Sequence, residues 1–240
     1  ILFSRSVSEQ RNLKRLTSEF RISEYLIQVL CKQYGNFNMA LSPAFADLRP
    51  FQWHNYHEVN LPRFAISNLY TATLDLSDFQ LESYLKNIRT VRRQEFKKTT
   101  AEVTETKDIE LFLDLYIKTF ERQGIVISPQ TLDLVSRIVT SALENHFGRL
   151  SMATTIDGVA SMSLFVFDSH SGYYLFGAND PKLRNSGAST ALMIDNIAAM
   201  AELGLSKIDF VGANSPNRGD FKLSFNSVLT PYYEVQLIST

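Results

Sequence analysis

Tyr173-Tyr-Leu-Phe-Gly-Ala-Asn-Asp-Pro-Lys-Leu-Arg-Asn-Ser-Gly-Ala-Ser-Thr190, followed by Ile208-Asp-Phe-Val-Gly-Ala-Asn-Ser-Pro-Asn-Arg-Gly-Asp-Phe-Lys222, decides the fold. The first stretch begins as an aromatic and aliphatic run of strand length, turns polar at Asn179-Asp-Pro, and opens a helix on the small residues Gly187, Ala188 and Ser189. That helix is predicted over 187–203 and closes at Gly204, a glycine C-cap. A strand over 207–211 comes next. Strand, crossing helix and strand in this order make a parallel pair.

Working outward, residues 101–105 alternate as a strand, and 107–123 carry Leu111, Leu115 and Ile117 at helical spacing before Gly124. Ser128-Pro129 is a cap followed by proline at the first helical position, opening a helix to 146. Strands at 149–156 and 159–167 are joined by Asp157-Gly158, a hairpin dipeptide, and a third strand is predicted over 172–177. A short helix over 217–225 and a strand over 232–238 end the chain. The whole is an α/β (α+β) domain with a mixed, mostly antiparallel sheet flanked by helices. A strand over 71–76 and a helix over 78–98 lead into it. Earlier still, 7–34 reads as helix capped by Ser8 with a break near Ile22-Ser23. Residues 36–70, aromatic-rich and punctuated by Pro43, Pro50 and Pro62, read as short strands and loops. The boundary expected at 65–75 separates 1–70 from 71–240.

Twenty-four basic side chains nearly cancel 25 acidic ones over 240 residues, so the totals do not describe a nucleic-acid coat or a polybasic membrane binder. No apolar run reaches the ~18 residues of a membrane span. A single cysteine, Cys31, forms no intrachain disulfide and fits a reducing, cytoplasmic setting. The four histidines are scattered without ligand spacing, and no metal is expected. The first residue is Ile and no signal-peptide pattern is present, so the sequence is expected to begin inside a longer chain.

Four places could carry chemistry. At the helix start, Arg184, Asn185, Ser186, Gly187, Ala188 and Ser189 gather backbone N–H groups and the positive end of the helix dipole, an anion site or simply a capped helix. After the next strand, Asn214, Ser215, Arg218 and Lys222 project where neighbouring connections diverge. Lys222, between Phe221 and Leu223, either snorkels to water or is kept for its charge. Lys86, Arg89, Arg93 and Lys97 form one stripe if 78–98 is a single helix, a solvated face or a docking strip for a polyanion such as tRNA. Phe51-Gln-Trp-His-Asn-Tyr56 sets Trp53 and Tyr56 either in a core or in a substrate pocket.

Taken as a set, Tyr173 to Asp180, Arg184, Gly187 to Leu192, Ile208 to Gly212, and Phe221-Lys222 with Phe225 resemble the GNAT-like proteins of the Fem type. These include the aminoacyltransferases that build peptidoglycan bridges and related single-chain acetyltransferases. The likeness extends upstream to Tyr70-Thr-Ala-Thr-Leu-Asp-Leu76 and covers about 70–240. It implies two GNAT-like lobes, with 1–70 the trailing part of the first, and acyl transfer to an amine bound between them. It implies that Lys222, matching the lysine of the family's Phe-Lys pair, lies in the active site. Asn214 or Tyr174 is then expected, beside Lys222, to stabilise charge or pass the proton, and Phe221, Trp53 and Tyr56 are expected as substrate contacts. Arg184-x-x-Gly187-x-Ser189 matches two anchors of the loop that grips the pyrophosphate of acetyl-CoA and has serine at the third. The expected activity is therefore N-acyl transfer from acetyl-CoA or another acyl-CoA to a primary amine of a small-molecule or cell-envelope precursor. The alternatives are an aminoacyl-tRNA donor and a catalytically degenerate GNAT-fold binding module.

Overall fold

The computed structural model describes residues 1, 3–58 and 60–237, in two units: 1–71 with 230–240, and 72–229. The first unit holds α1 (Arg5–Ser8), α2 (Asn12–Gln33), β1 (Phe37–Ala40), α3 (Arg49–Gln52) and the start of β2 (Phe64–Asp75). The second holds the end of β2, then α4 (Leu81–Asn87), α5 (Thr90–Lys98), β3 (Glu102–Glu105), α6 (Ile109–Glu121), α7 (Pro129–Glu144), β4 (Gly148–Thr155), β5 (Gly158–Phe167), β6 (Ser171–Asn179), α8 (Ala188–Glu202), β7 (Lys207–Asp209) and α9 (Pro216–Leu223). β8 (Val228–Leu237) closes the chain. From β3 onward this is the order read from the sequence, and the class is mixed α/β as read.

In the second unit the strands run β2-β7-β6-β5-β4-β3, antiparallel except for the parallel β6–β7 step made by the α8 crossover. α6 and α7 cover one face, packing Phe112, Leu115, Val135 and Val139 on Leu150, Met162 and Leu164. α8 covers the other with Met193, Ile194, Ile197 and Met200 against Phe165, Ile208 and Phe210. Alternation along β5 explains the split, Leu164 facing one layer and Phe165 the next. Buried Asn196 ties α8 to the sheet: its amide donates to Ser163 Oγ at 3.2 Å, and its carbonyl accepts from Arg149 at 2.7 Å.

Several boundaries differ from the sequence reading. The N-terminal helix is interrupted at 9–11, not at Ile22-Ser23, and Ser8 ends α1 rather than capping a helix. β2 is one twelve-residue strand. The helix predicted over 78–98 is two helices. Ile88 is extended (φ −69, ψ 157) with its side chain buried, and the Arg89 N–H donates to Ser224 O at 3.0 Å. Core burial and that tertiary bond outweigh helix propensity here. The basic residues therefore form no single-helix stripe. Arg89 pairs with Asp220 at 2.8 Å, Lys86 with Glu82 at 2.9 Å, and Arg93 donates to Lys86 O at 3.1 Å. β8 starts four residues before the predicted strand, at Val228, and residue 238, its predicted end, lies outside the described residues. β8 pairs antiparallel with β1, Met39 opposite Val235, so the final strand belongs with the first unit and not, as read, with 71–229. Strand pairing across that much chain leaves no local mark in sequence.

Candidate active site

The parallel pair β6–β7 is short. Ser171, Gly172 and Tyr173 pair with Lys207, Ile208 and Asp209; β7 then ends while β6 continues to Asn179. The strands part, and a cleft of about 660 Å³ opens beside the unpaired length of β6, lined also by α5, α6, the start of α8, and α9. A bulge in β6 accompanies the parting: Phe165 faces Tyr174 and Leu164 faces Phe176, which leaves Leu175 without an opposite number. Tyr174 stacks on Phe165 at 5.2 Å and lies along the strand. Glycine at 177 makes room for this, because a Cβ there would overlap the Tyr174 hydroxyl. Burial pushes the Tyr174 hydroxyl up to about 12, so it keeps its proton.

Lys222 enters the cleft from α9 and is only 8% exposed. Its Nζ donates to Val211 O at 2.6 Å and Gly212 O at 2.7 Å and stands 5.7 Å from the Tyr174 ring centroid. Both carbonyls face inward because Val211 and Gly212 are left-handed, at φ 53 and 73. For a β-branched residue that is a costly conformation, on the order of 1–3 kcal/mol. Two of the three ammonium protons are thus used and one remains for a ligand. Burial, the nearby positive charge of Arg218 and, in the opposite sense, Asp209 leave the amine lowered to about 8.

At the other turn, Gly187 is the N-cap of α8, left-handed at φ 76, with no side-chain cap bond. Among the described residues the N–H groups of Gly187 and Ser189 meet no acceptor, as an anion site requires. Ser189 turns its hydroxyl to Asn179 Oδ1 at 2.6 Å, away from the backbone N–H groups. Close by, Glu95 accepts from Thr190 Oγ1 at 2.5 Å and pairs with Arg92 at 2.6 Å, a carboxylate already set in the first turn of α8. Arg92 also lies over the Phe221 ring, 4.8 Å from its centroid.

The acetyltransferase (GNAT) domain family matches over residues 82–223, which takes in every lining residue of this cleft. The chain belongs to that family. The GNAT fold extends to its structural neighbours. FemX has a TM-score of 0.67 at 12% identity, over 92% of this chain and 77% of that one. A tandem GNAT protein from the clavulanic acid biosynthesis pathway has 0.55 at 9%, over 97% and 71%. A conserved protein of unknown function from Bacteroides thetaiotaomicron has 0.57 at 14%, over 92% and 75%. At these identities the likeness is one of fold, and that fold is Fem-like. No curated protein matches the chain in sequence.

Of the residues singled out from the sequence, the GNAT cleft brings together Tyr174, Arg184, Gly187, Ser189, Ser215, Arg218, Phe221 and Lys222. Lys222 is kept inside rather than snorkelling. Asn214 is exposed in the turn, its amide beside Gly212, and Asn185, Ser186 and Ala188 do not line the cleft; Ala188 is buried against the sheet. Trp53 and Tyr56 lie in the first unit, both more than half exposed. Trp53 tilts on Phe20 at 5.4 Å, and Arg63 covers Tyr56 at 5.6 Å. Sequence reasoning passed over Arg92, Glu95, Tyr116 and Arg122 as site residues. Arg92 and Glu95 were visible only as part of a charged run, the one acid among its bases. Among the described residues no three His, Cys, Asp or Glu side chains gather to hold a metal, and no helix is long and apolar enough to cross a membrane.

Proposed function

We propose that this chain transfers an acyl group from acetyl-CoA or another acyl-CoA to a primary amine of a small-molecule or cell-envelope precursor. The observation that carries the reading is Lys222, a buried cation with one N–H to spare, set where β6 and β7 part. In the step proposed, the amine nitrogen bonds to the thioester carbon and the carbonyl oxygen becomes an oxyanion facing Lys222. The carbon–sulfur bond then breaks, and the amine's surplus proton passes to the leaving thiolate, with the protonated Tyr174 hydroxyl as relay. The donor's pyrophosphate takes the bare N–H groups at Gly187 and Ser189 together with Arg184. Phe221 shapes the cleft wall, and Asn214 shares the turn that holds Lys222. The setting is taken as cytoplasmic, from the single reduced Cys31. Residues 1–70 are read as the trailing part of a first GNAT-like lobe, with Trp53 and Tyr56 as substrate contacts. The likeness to a tandem GNAT protein over 97% of the chain supports the lobe assignment.

Calorimetry with acetyl-CoA tests the donor. Saturable heat is expected from the intact protein, weakened about tenfold or more by Arg184→Glu, which turns an attraction for phosphate into a repulsion. No heat from the intact protein removes acetyl-CoA as donor. A second reading, aminoacyl-tRNA as donor, is favoured by Glu95, whose carboxylate in the first turn of α8 opposes a pyrophosphate there. Lys86, Arg89, Arg93 and Lys97 would then be its contacts. That reading has to accommodate their separation onto two helices and the engagement of Lys86 and Arg89 in ion pairs.

A further inference from the structure

α9 brings two cations to the cleft, and the fold treats them oppositely. Lys222 is buried and held by two carbonyls. Arg218, one turn earlier, is exposed and held by neutral groups: it donates to Gln123 Oε1 at 3.2 Å and covers the Phe120 ring at 5.7 Å. Among the described residues no carboxylate pairs with it. The acids along the cleft are engaged elsewhere, Asp220 by Arg89 and Glu95 by Arg92, while Asp180 receives the Lys182 N–H at 2.8 Å. Arg122, Arg184 and Arg218 therefore enter no ion pair among the described residues, and Lys222 adds a fourth positive charge. Arg218 also stands near enough to Lys222, Tyr174 and Tyr116 to bear on the charge of all three. Two cations set close together at the edge of a buried site repel each other, and an arriving anion relieves that cost.

We propose that the acceptor is an amine carrying a carboxylate close to its reacting nitrogen, an amino acid or a peptide acid, and that Arg218 binds that carboxylate. The assignment rests on the acyl-transfer reading above and names its acceptor. A guanidinium whose face is covered by an aromatic ring still presents its edge as a planar two-pronged donor, which matches a carboxylate. The acceptor is indicated rather than the donor. Arg218 shares α9 with Lys222, so an anion on it lies beside the reacting carbonyl, whereas the pyrophosphate of an acyl-CoA is a whole pantetheine arm away from its thioester.

Matched probes test this. L-lysine against cadaverine, and glycylglycine against glycylglycinamide, differ by the carboxylate alone and separate a free amino acid from a peptide; phosphoethanolamine against ethylamine is the phosphate arm. Binding is measured by calorimetry without donor, and KM with acetyl-CoA present. At least one carboxylate member is expected to bind about tenfold or more tighter than its partner, the strength of a charge-assisted hydrogen bond. Arg218→Gln should erase that preference without weakening the carboxylate-free partner, and Arg218→Lys should restore part of it. Discrimination in binding with no acylated product keeps Arg218 as a carboxylate site and counts against acetyl-CoA transfer to these amines. Acylated product formed with equal KM within each pair does the reverse. Discrimination in no pair, or a phosphate member preferred over both carboxylates, overturns the proposal.

Discussion

The two turns that follow β6 and β7 are built alike and aimed oppositely. Each contains a left-handed glycine, Gly187 at φ 76 and Gly212 at φ 73. The turn after β6 leads into α8 and leaves N–H groups bare, so it draws negative charge. The turn after β7 directs two carbonyls inward, so it draws positive charge, and Lys222 fills it. One turn keeps open donors; the other is satisfied by the protein itself. On the function proposed above, the first takes the donor and the second does the chemistry.

The assignment breaks most visibly at Lys222. Lys222→Met keeps the stem and removes the charge; kcat is expected to fall by about 10²–10³, the cost of losing a donor to a developing oxyanion, with KM for the donor nearly unchanged. If KM rises instead while kcat holds, the two turns have been given each other's roles. pH sharpens the same contrast. With saturating acceptor, the wild-type rate should decline as pH rises through about 8, where Lys222 loses its proton, and Lys222→Arg, charged at every accessible pH, should lack that decline. Stability moves the other way. The folded lysine is lowered from 10.5 to about 8, so between those values the unfolded chain binds the extra proton and the fold gains stability as pH rises. Urea titrations across that window, compared with Lys222→Met, measure the gain.

Gly187→Ala is the matching test of the first turn. The new Cβ would sit 3.0 Å from Thr99 Cβ and 3.1 Å from Glu95 O in a left-handed backbone, so a loss of about 1–2 kcal/mol is expected in denaturant unfolding. Donor KM should rise and kcat stay within about twofold of wild type. An unchanged KM would remove the helix start from donor binding. The smallest effect belongs to Val211→Gly, which relieves the left-handed valine without touching its carbonyl. A stability change within about 1 kcal/mol, and turnover close to wild type, follow if the carbonyl and not the strain matters.

Much of this was readable beforehand because the signals are local. Asp157-Gly158 makes its hairpin, Ser128 accepts the Thr131 N–H at 3.1 Å as the cap of α7, and Gly204 at φ 77 stops α8. Local chemistry fails where a distant partner decides. Ile88 leaves its helix because the core and Ser224 hold it, and β8 joins β1 from the far end of the chain. The cleft was half legible. Gly187 stood out by composition and Lys222 by the resemblance of its Phe-Lys pair, but whether Lys222 would stay inside depended on a left-handed valine that no propensity would choose. Glu95 was hidden by its neighbours, its role set by Thr190 on another helix.

Leu175 makes the faces of β6 depend on chain length as well as on side chains. In an unbroken strand, residues two apart share a face, yet Tyr174 sits with Phe165 and Phe176 with Leu164 on opposite layers, because one surplus residue stands between them. Removing that residue would leave both aromatics on their present faces and close the ladder. A one-residue deletion, ordinarily the most disruptive edit a strand can suffer, would here repair the pairing on the side of β6 that faces away from the opening.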